Sequence, residues 1–126
     1  MFKIHHRLTG GIEPFEYFTP KAGEEIKAGE ALVLTGGVLT KCGATAKPAF
    51  IAMGGKNRQG MVPVIRVLPT TVFAVPALAS QSALAAGSEV TLHTDGLQVT
   101  ATTTDGVFTL DTPAGAAGGE CVGRFV

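Results

Sequence analysis

The stretch Ile26-Lys27-Ala28-Gly29-Glu30-Ala31-Leu32-Val33-Leu34-Thr35-Gly36-Gly37-Val38-Leu39-Thr40 decides the fold class. Ala31 to Thr35 is a short apolar, β-prone run, and Val38 to Thr40 resumes it after Gly36-Gly37; two such runs joined by two glycines predict a β-hairpin. Ahead of the hairpin, Gly29 supplies the backbone freedom of a turn that launches a strand. The arrangement returns 58 residues later, where Leu84-Ala85-Ala86-Gly87-Ser88-Glu89-Val90-Thr91-Leu92 keeps the Ala-Gly pair and the apolar positions, and Gly96 takes the second turn. Ala117-Gly118-Gly119-Glu120-Cys121-Val122 is a shorter echo. A strand-launching turn used repeatedly predicts a mainly β domain, a small β-barrel or β-sandwich of pseudo-repeated hairpins.

Working outward, Phe50-Ile51-Ala52-Met53, Met61 to Leu68 and Val72 to Val75 add three more apolar runs. Pro63 lies inside the second of them and predicts a sheet edge or bulge, because it has no N–H for a ladder. Alternating segments flank Asp95-Gly96, Val107 to Leu110 follows Asp105-Gly106, and Cys121 to Val126 reads as a final strand. One segment breaks the pattern: Pro76 to Ala86 is Ala-rich, opens on Pro and precedes Gly87, which predicts one short helix.

A chain of 126 residues suits one domain. Its apolar content is Ala, Val, Leu and Ile rather than aromatic, and 17 Gly with 7 Pro punctuate the runs, which favours many short strands. Ten basic and ten acidic residues cancel, removing the electrostatic attraction behind non-specific nucleic-acid binding. No run of about 18 apolar residues occurs, so neither a membrane span nor a signal peptide is expected, and synthesis in the cytosol follows. In that compartment Cys42 and Cys121 are expected as free, packed thiols.

Residues 1–23 differ from residues 24–126. They hold Phe2, Phe15, Tyr17 and Phe18, four of the eight Phe and Tyr residues, between Gly10-Gly11, Pro14 and Pro20, with no clear strand or helix period. This predicts an extended N-terminal arm whose rings need a partner surface, carried by a β-rich body that stays folded when the chain starts at Pro20. The competing reading is a first strand with ordinary core aromatics.

No catalytic constellation is visible. His5 and His6 are consecutive and would point opposite ways on an extended strand, so no metal site is expected from them or from His93. Cys42 lacks the surroundings of a catalytic cysteine, and Gly54 to Gly60 lacks the glycine-lysine order of a phosphate loop. Its Lys56 and Arg58 read as a solvated loop that meets an acidic patch on a partner. Asp95 and Asp105 precede glycines as turn formers. Neither enzymatic turnover nor a cofactor is expected.

In the order of these features, Pro20 to Val126 resembles the capsid decoration (cement) proteins of tailed phages. The resembling pieces are Lys27 to Leu34, Pro48 to Met53, Val62 to Val67, Ala86 to Val90, Asp95-Gly96 and Arg124-Phe125-Val126. The resemblance implies a β-rich body, self-association as a homotrimer, an arm laid on the phage major capsid protein, and a place on the capsid exterior of the virion after synthesis in the host cytoplasm. The expected capsid contacts are Phe2, Phe15, Tyr17, Phe18, Lys56 and Arg58. The Ala-Gly-Glu turn also resembles the hairpins of biotinyl and lipoyl carrier domains, although Lys41 and Lys56 lack the neighbours such a modified lysine needs.

Overall fold

A computed structural model describes residues 1–126. The protein is all-β, with ten strands: β1 (Lys3–Arg7), β2 (Glu16–Phe18), β3 (Ala31–Thr35), β4 (Val38–Lys41), β5 (Phe50–Ala52), β6 (Val62–Arg66), β7 (Thr71–Pro76), β8 (Glu89–Val90), β9 (Phe108–Thr112) and β10 (Glu120–Arg124). They form two five-stranded sheets, ordered β2-β6-β5-β3-β4 and β1-β7-β10-β9-β8. Every ladder pairing between these strands is antiparallel.

Each sheet is closed by a parallel bridge. Just past β2, Pro20 pairs with Leu39 at the far edge of the first sheet: Leu39 N–H donates to Thr19 O and Lys21 N–H to Leu39 O, both at 2.9 Å. Just past β7, Ala77 pairs with Val99, which pairs in turn with Leu92 beyond β8. In the first sheet the edge strand β2 therefore runs on to the opposite edge, and in the second β7 runs on toward the β8 side while β1 stays outside as the edge; each bridge satisfies backbone groups that would otherwise be left bare.

The spacing of 58 seen in the sequence recurs in the hydrogen bonds. Gly29 N–H donates to Ala52 O and Gly87 N–H to Leu110 O, each at 2.7 Å; Ala49 N–H donates to Leu32 O and Val107 N–H to Val90 O, each at 2.9 Å. Phe18 faces Val62 in β2–β6, as Pro76 faces Glu120 in β7–β10. The glycines that open these turns have φ of +80° at Gly29 and +94° at Gly87, the left-handed region that a Cβ disfavours.

One register slip separates the halves. Ala52 faces Val64 in the first, but Leu110 faces Gly123 rather than Val122 in the second, where the ladder shifts between Val122 and Gly123. A one-residue shift turns a strand's side chains to the opposite face. It carries β10 and its partner β7 together, so Phe73 and Val75 are buried while their counterparts Phe15 and Tyr17 face solvent. Gly123 is required at the slip, since a Cβ there would lie 2.3 Å from Thr109 O.

The main core gathers Ala31, Ile51 and Ile65 from the first half with Phe73, Val90, Phe108, Leu110 and Phe125 from the second. A smaller core inside the first sheet holds Ile26, Leu32, Leu39, Phe50, Val62 and Val64. β5 serves both, with Ile51 in one and Phe50 and Ala52 in the other, as expected of a strand covered on both faces.

Three expectations are corrected. Pro76–Ala86 is not a helix: Ala77, Leu78 and Gln81 donate their N–H groups to Gly119 O, Val99 O and Ala114 O, so the backbone bonds outward instead of along a helix. The buried Gln81 side chain fastens the segment, donating from Nε2 to Thr100 O at 2.8 Å and accepting Ala114 N–H at 2.9 Å. Residues 1–23 are not a detached arm, because β1 lies along β7 and β2 along β6. Pro63 is not at an edge: β6 lies between β2 and β5, and the Pro63 carbonyl accepts Met53 N–H just beyond β5.

Candidate functional site

The most unusual surface is the one around β2. Phe15 and Tyr17 are 52 % and 51 % exposed, and Ile12, at 82 %, is the most exposed large apolar residue. The chain holds these rings in place with ion pairs on either side. Arg7 Nε lies 2.5 Å from Glu13, which also accepts the Thr71 hydroxyl, and Arg66 grips Glu16 through Nε and an Nη nitrogen at 3.1 and 2.8 Å. Burial raises the pKa of Glu13, but the hydrogen bonds from Thr71, its own backbone and Arg7 outweigh it and hold the carboxyl below the usual range. Arg7, Ile12, Glu13, Glu16, Arg66 and Leu68 line a depression of about 340 Å³ beside the rings.

The other residues expected at a contact surface separate. Phe2 is only 1 % exposed and packs edge-on against Phe73 and Phe108, at 6.1 and 5.7 Å between ring centroids, so it belongs to the core and not to a partner surface. The cause is β1: pairing with β7 carries the preceding residue over the core, where its ring fills a gap in the main cluster. Phe18 is half-buried against Phe50, at 5.0 Å, as part of the smaller core. Lys56 and Arg58 are exposed on the β5–β6 loop, which Asn57 shapes by accepting the N–H groups of Gln59 and Met61 at 3.0 Å. Lys56 borders a second depression with Pro20, Glu24, Glu25 and Val62.

Cys42 and Cys121 are free and buried, and burial pushes both thiols up to about 11. Glu30 is a buried acid that the sequence did not single out. Its Oε1 accepts Lys27 N–H at 3.4 Å, Oε2 has no partner, and burial raises its pKa. His5 and His6 do not point apart: the ladder shifts between Ile4 and His6, and their Nδ1 atoms lie 2.7 Å from each other. Two consecutive histidines were visible in the sequence; a bulge that turns both to one side had no sequence signal.

No group of three or more His, Cys, Asp or Glu side chains is placed to hold a metal ion. No helix is long and apolar enough to cross a membrane. No protein-family model matches the sequence, and no curated protein matches it significantly.

Proposed function

We propose that the chain is a structural virion protein that binds the outside of a phage capsid and stabilises the lattice of the major capsid protein. The observation that supports this reading is the exposure of Phe15 and Tyr17 on a strand whose counterpart in the second half buries Phe73 and Val75. Rings held half in water by a closed, hydrogen-bonded scaffold are pre-organised anchors, and aromatic anchors entering desolvated pockets dominate interface energies. Ile12 extends the apolar patch. Lys56 and Arg58 form a charged outpost that steers a partner's acidic surface.

On this reading the scaffold consists of two small barrel-like halves from one duplicated hairpin motif, and its mechanism is binding alone. A protein that binds only the assembled lattice stabilises it by mass action, and many copies on one shell multiply a modest contribution. Self-association as a homotrimer would add avidity through neighbouring anchors. A carrier role finds less support, since the β3–β4 hairpin tip is Gly36-Gly37 and holds no lysine to modify.

The test is the double variant Phe15→Ser/Tyr17→Ser, assayed for binding to empty expanded capsids from the same genome. Expected is an unchanged melting curve with capsid affinity reduced by at least about 30-fold, from roughly 2 kcal/mol for a hot-spot residue. Unchanged binding would overturn this surface as the anchor, and the Lys56–Arg58 loop would be substituted next.

A further inference from the structure

We infer that His5 and His6 form a bidentate chelate for a divalent late-transition ion of square-planar preference, Cu(II) or Ni(II), on the outer edge of the second sheet. On a regular strand, adjacent side chains leave opposite faces and cannot share a metal. Here β1 is irregular. Ile4 faces Phe73 and His6 faces Val72, so two residues of β1 span one step of β7, with His5 as the extra residue. Such a bulge re-aims a side chain. Its effect is to bring the two imidazoles to one side, with ring centroids 5.0 Å apart and Nδ1 atoms 2.7 Å apart.

At that separation the two rings meet head-on through a shared hydrogen bond, and rotation of these exposed side chains turns both lone pairs toward one ion. Imidazole nitrogens suit Cu(II) and Ni(II), and the Irving–Williams order places Cu(II) highest among the first-row divalent ions. In the free protein one Nδ1 carries a proton that the other accepts; when a metal binds neutral rings that proton moves to the outer Nε2 of its own ring, and no bond to carbon changes. Both histidines are exposed, and β1 is the terminal strand of its sheet, so water or a partner's side chain can complete the coordination. Once one imidazole has bound, the second is held at high effective concentration, which favours two-point attachment.

The experiment titrates the intact protein with Cu(II) alone and follows it by calorimetry and electron paramagnetic resonance. Expected is one saturable ion per chain, with a tetragonal spectrum whose hyperfine structure requires two imidazole nitrogens. His5→Ala and His6→Ala should each weaken binding at least about tenfold and leave one imidazole nitrogen in the spectrum. Both side chains are exposed, so the variants are expected to melt like the parent. Should either variant unfold, His5→Gln and His6→Gln, which keep a polar side chain on the strand, replace them with the same criteria. Copper bound with unchanged affinity by the combined His5→Ala/His6→Ala variant would place it at the chain's amino group or His93 and overturn the chelate. So would a parent spectrum with a single imidazole nitrogen, or no saturable binding.

Discussion

Gly29 and Gly87 occupy the same place in two halves of one chain, each donating its N–H across 2.7 Å to the third residue of a strand, Ala52 O in β5 and Leu110 O in β9. Their surroundings differ. A Cβ on Gly29 would lie 2.3 Å from the Cβ of Met1, whereas one on Gly87 would meet nothing within 4 Å. Gly87→Ala should therefore cost only the left-handed backbone strain, about 1–2 kcal/mol. Gly29→Ala carries the same strain and must also displace the N-terminal segment, so it should destabilise more. Chemical denaturation of the two variants side by side checks the order, and equal losses would mean that Met1 yields freely.

Phe2 contributes as a core residue. Its ring lies within 6.1 Å of Phe73, 5.7 Å of Phe108 and 5.5 Å of Phe125. Phe2→Ala should cost about 3–5 kcal/mol, the usual range for a buried Phe truncated to Ala. A chain starting at Pro20 would lose this ring together with β1 and β2, and it is expected to unfold. Circular dichroism on both proteins tests this; a truncated chain that melts cooperatively near the parent's temperature would refute it.

Glu30 should make stability fall with pH on the acid side. Burial raises its folded-state pKa, and its Oε2 has no hydrogen-bond partner. The folded state therefore holds the proton more tightly than the unfolded chain. The associated stabilisation is present below the unfolded pKa and is lost as pH rises through the raised folded value. Glu30→Gln removes the buried charge and keeps an oxygen for Lys27 N–H. Its melting temperature should exceed the parent's at neutral pH, with the difference shrinking toward pH 4. A difference independent of pH would exclude Glu30 titration as its source.

Cys42 and Cys121 should resist thiol reagents in the folded protein. Both are buried, and with thiols pushed up to about 11 almost no thiolate exists at neutral pH. Mass spectrometry after brief maleimide treatment should find the native chain unmodified and the denatured chain doubly labelled. Labelling of Cys42 alone without denaturant would reveal local opening of the segment between β4 and β5.

Local chemistry made much of this molecule legible in its sequence. Gly36-Gly37 between apolar runs, and the Ala-Gly pairs 58 residues apart, specify turns through backbone freedom that does not depend on distant residues. The hairpin and the repeat could be read for that reason. Long-range pairing decided the rest. Phe2, Phe15, Tyr17 and Phe18 look alike in the sequence, yet β1 carries Phe2 into the core, Phe18 enters the smaller core and the other two face solvent. Alanines at 77–86 favour a helix by propensity, but partners at Val99, Ala114 and Gly119 claim the backbone N–H groups that a helix would use. The convergence of His5 and His6 and the inversion that buries Phe73 but exposes Phe15 both arise from irregular register. Register depends on which distant strand is met and at which residue, and because side chains alternate, one residue of slip exchanges inside for outside.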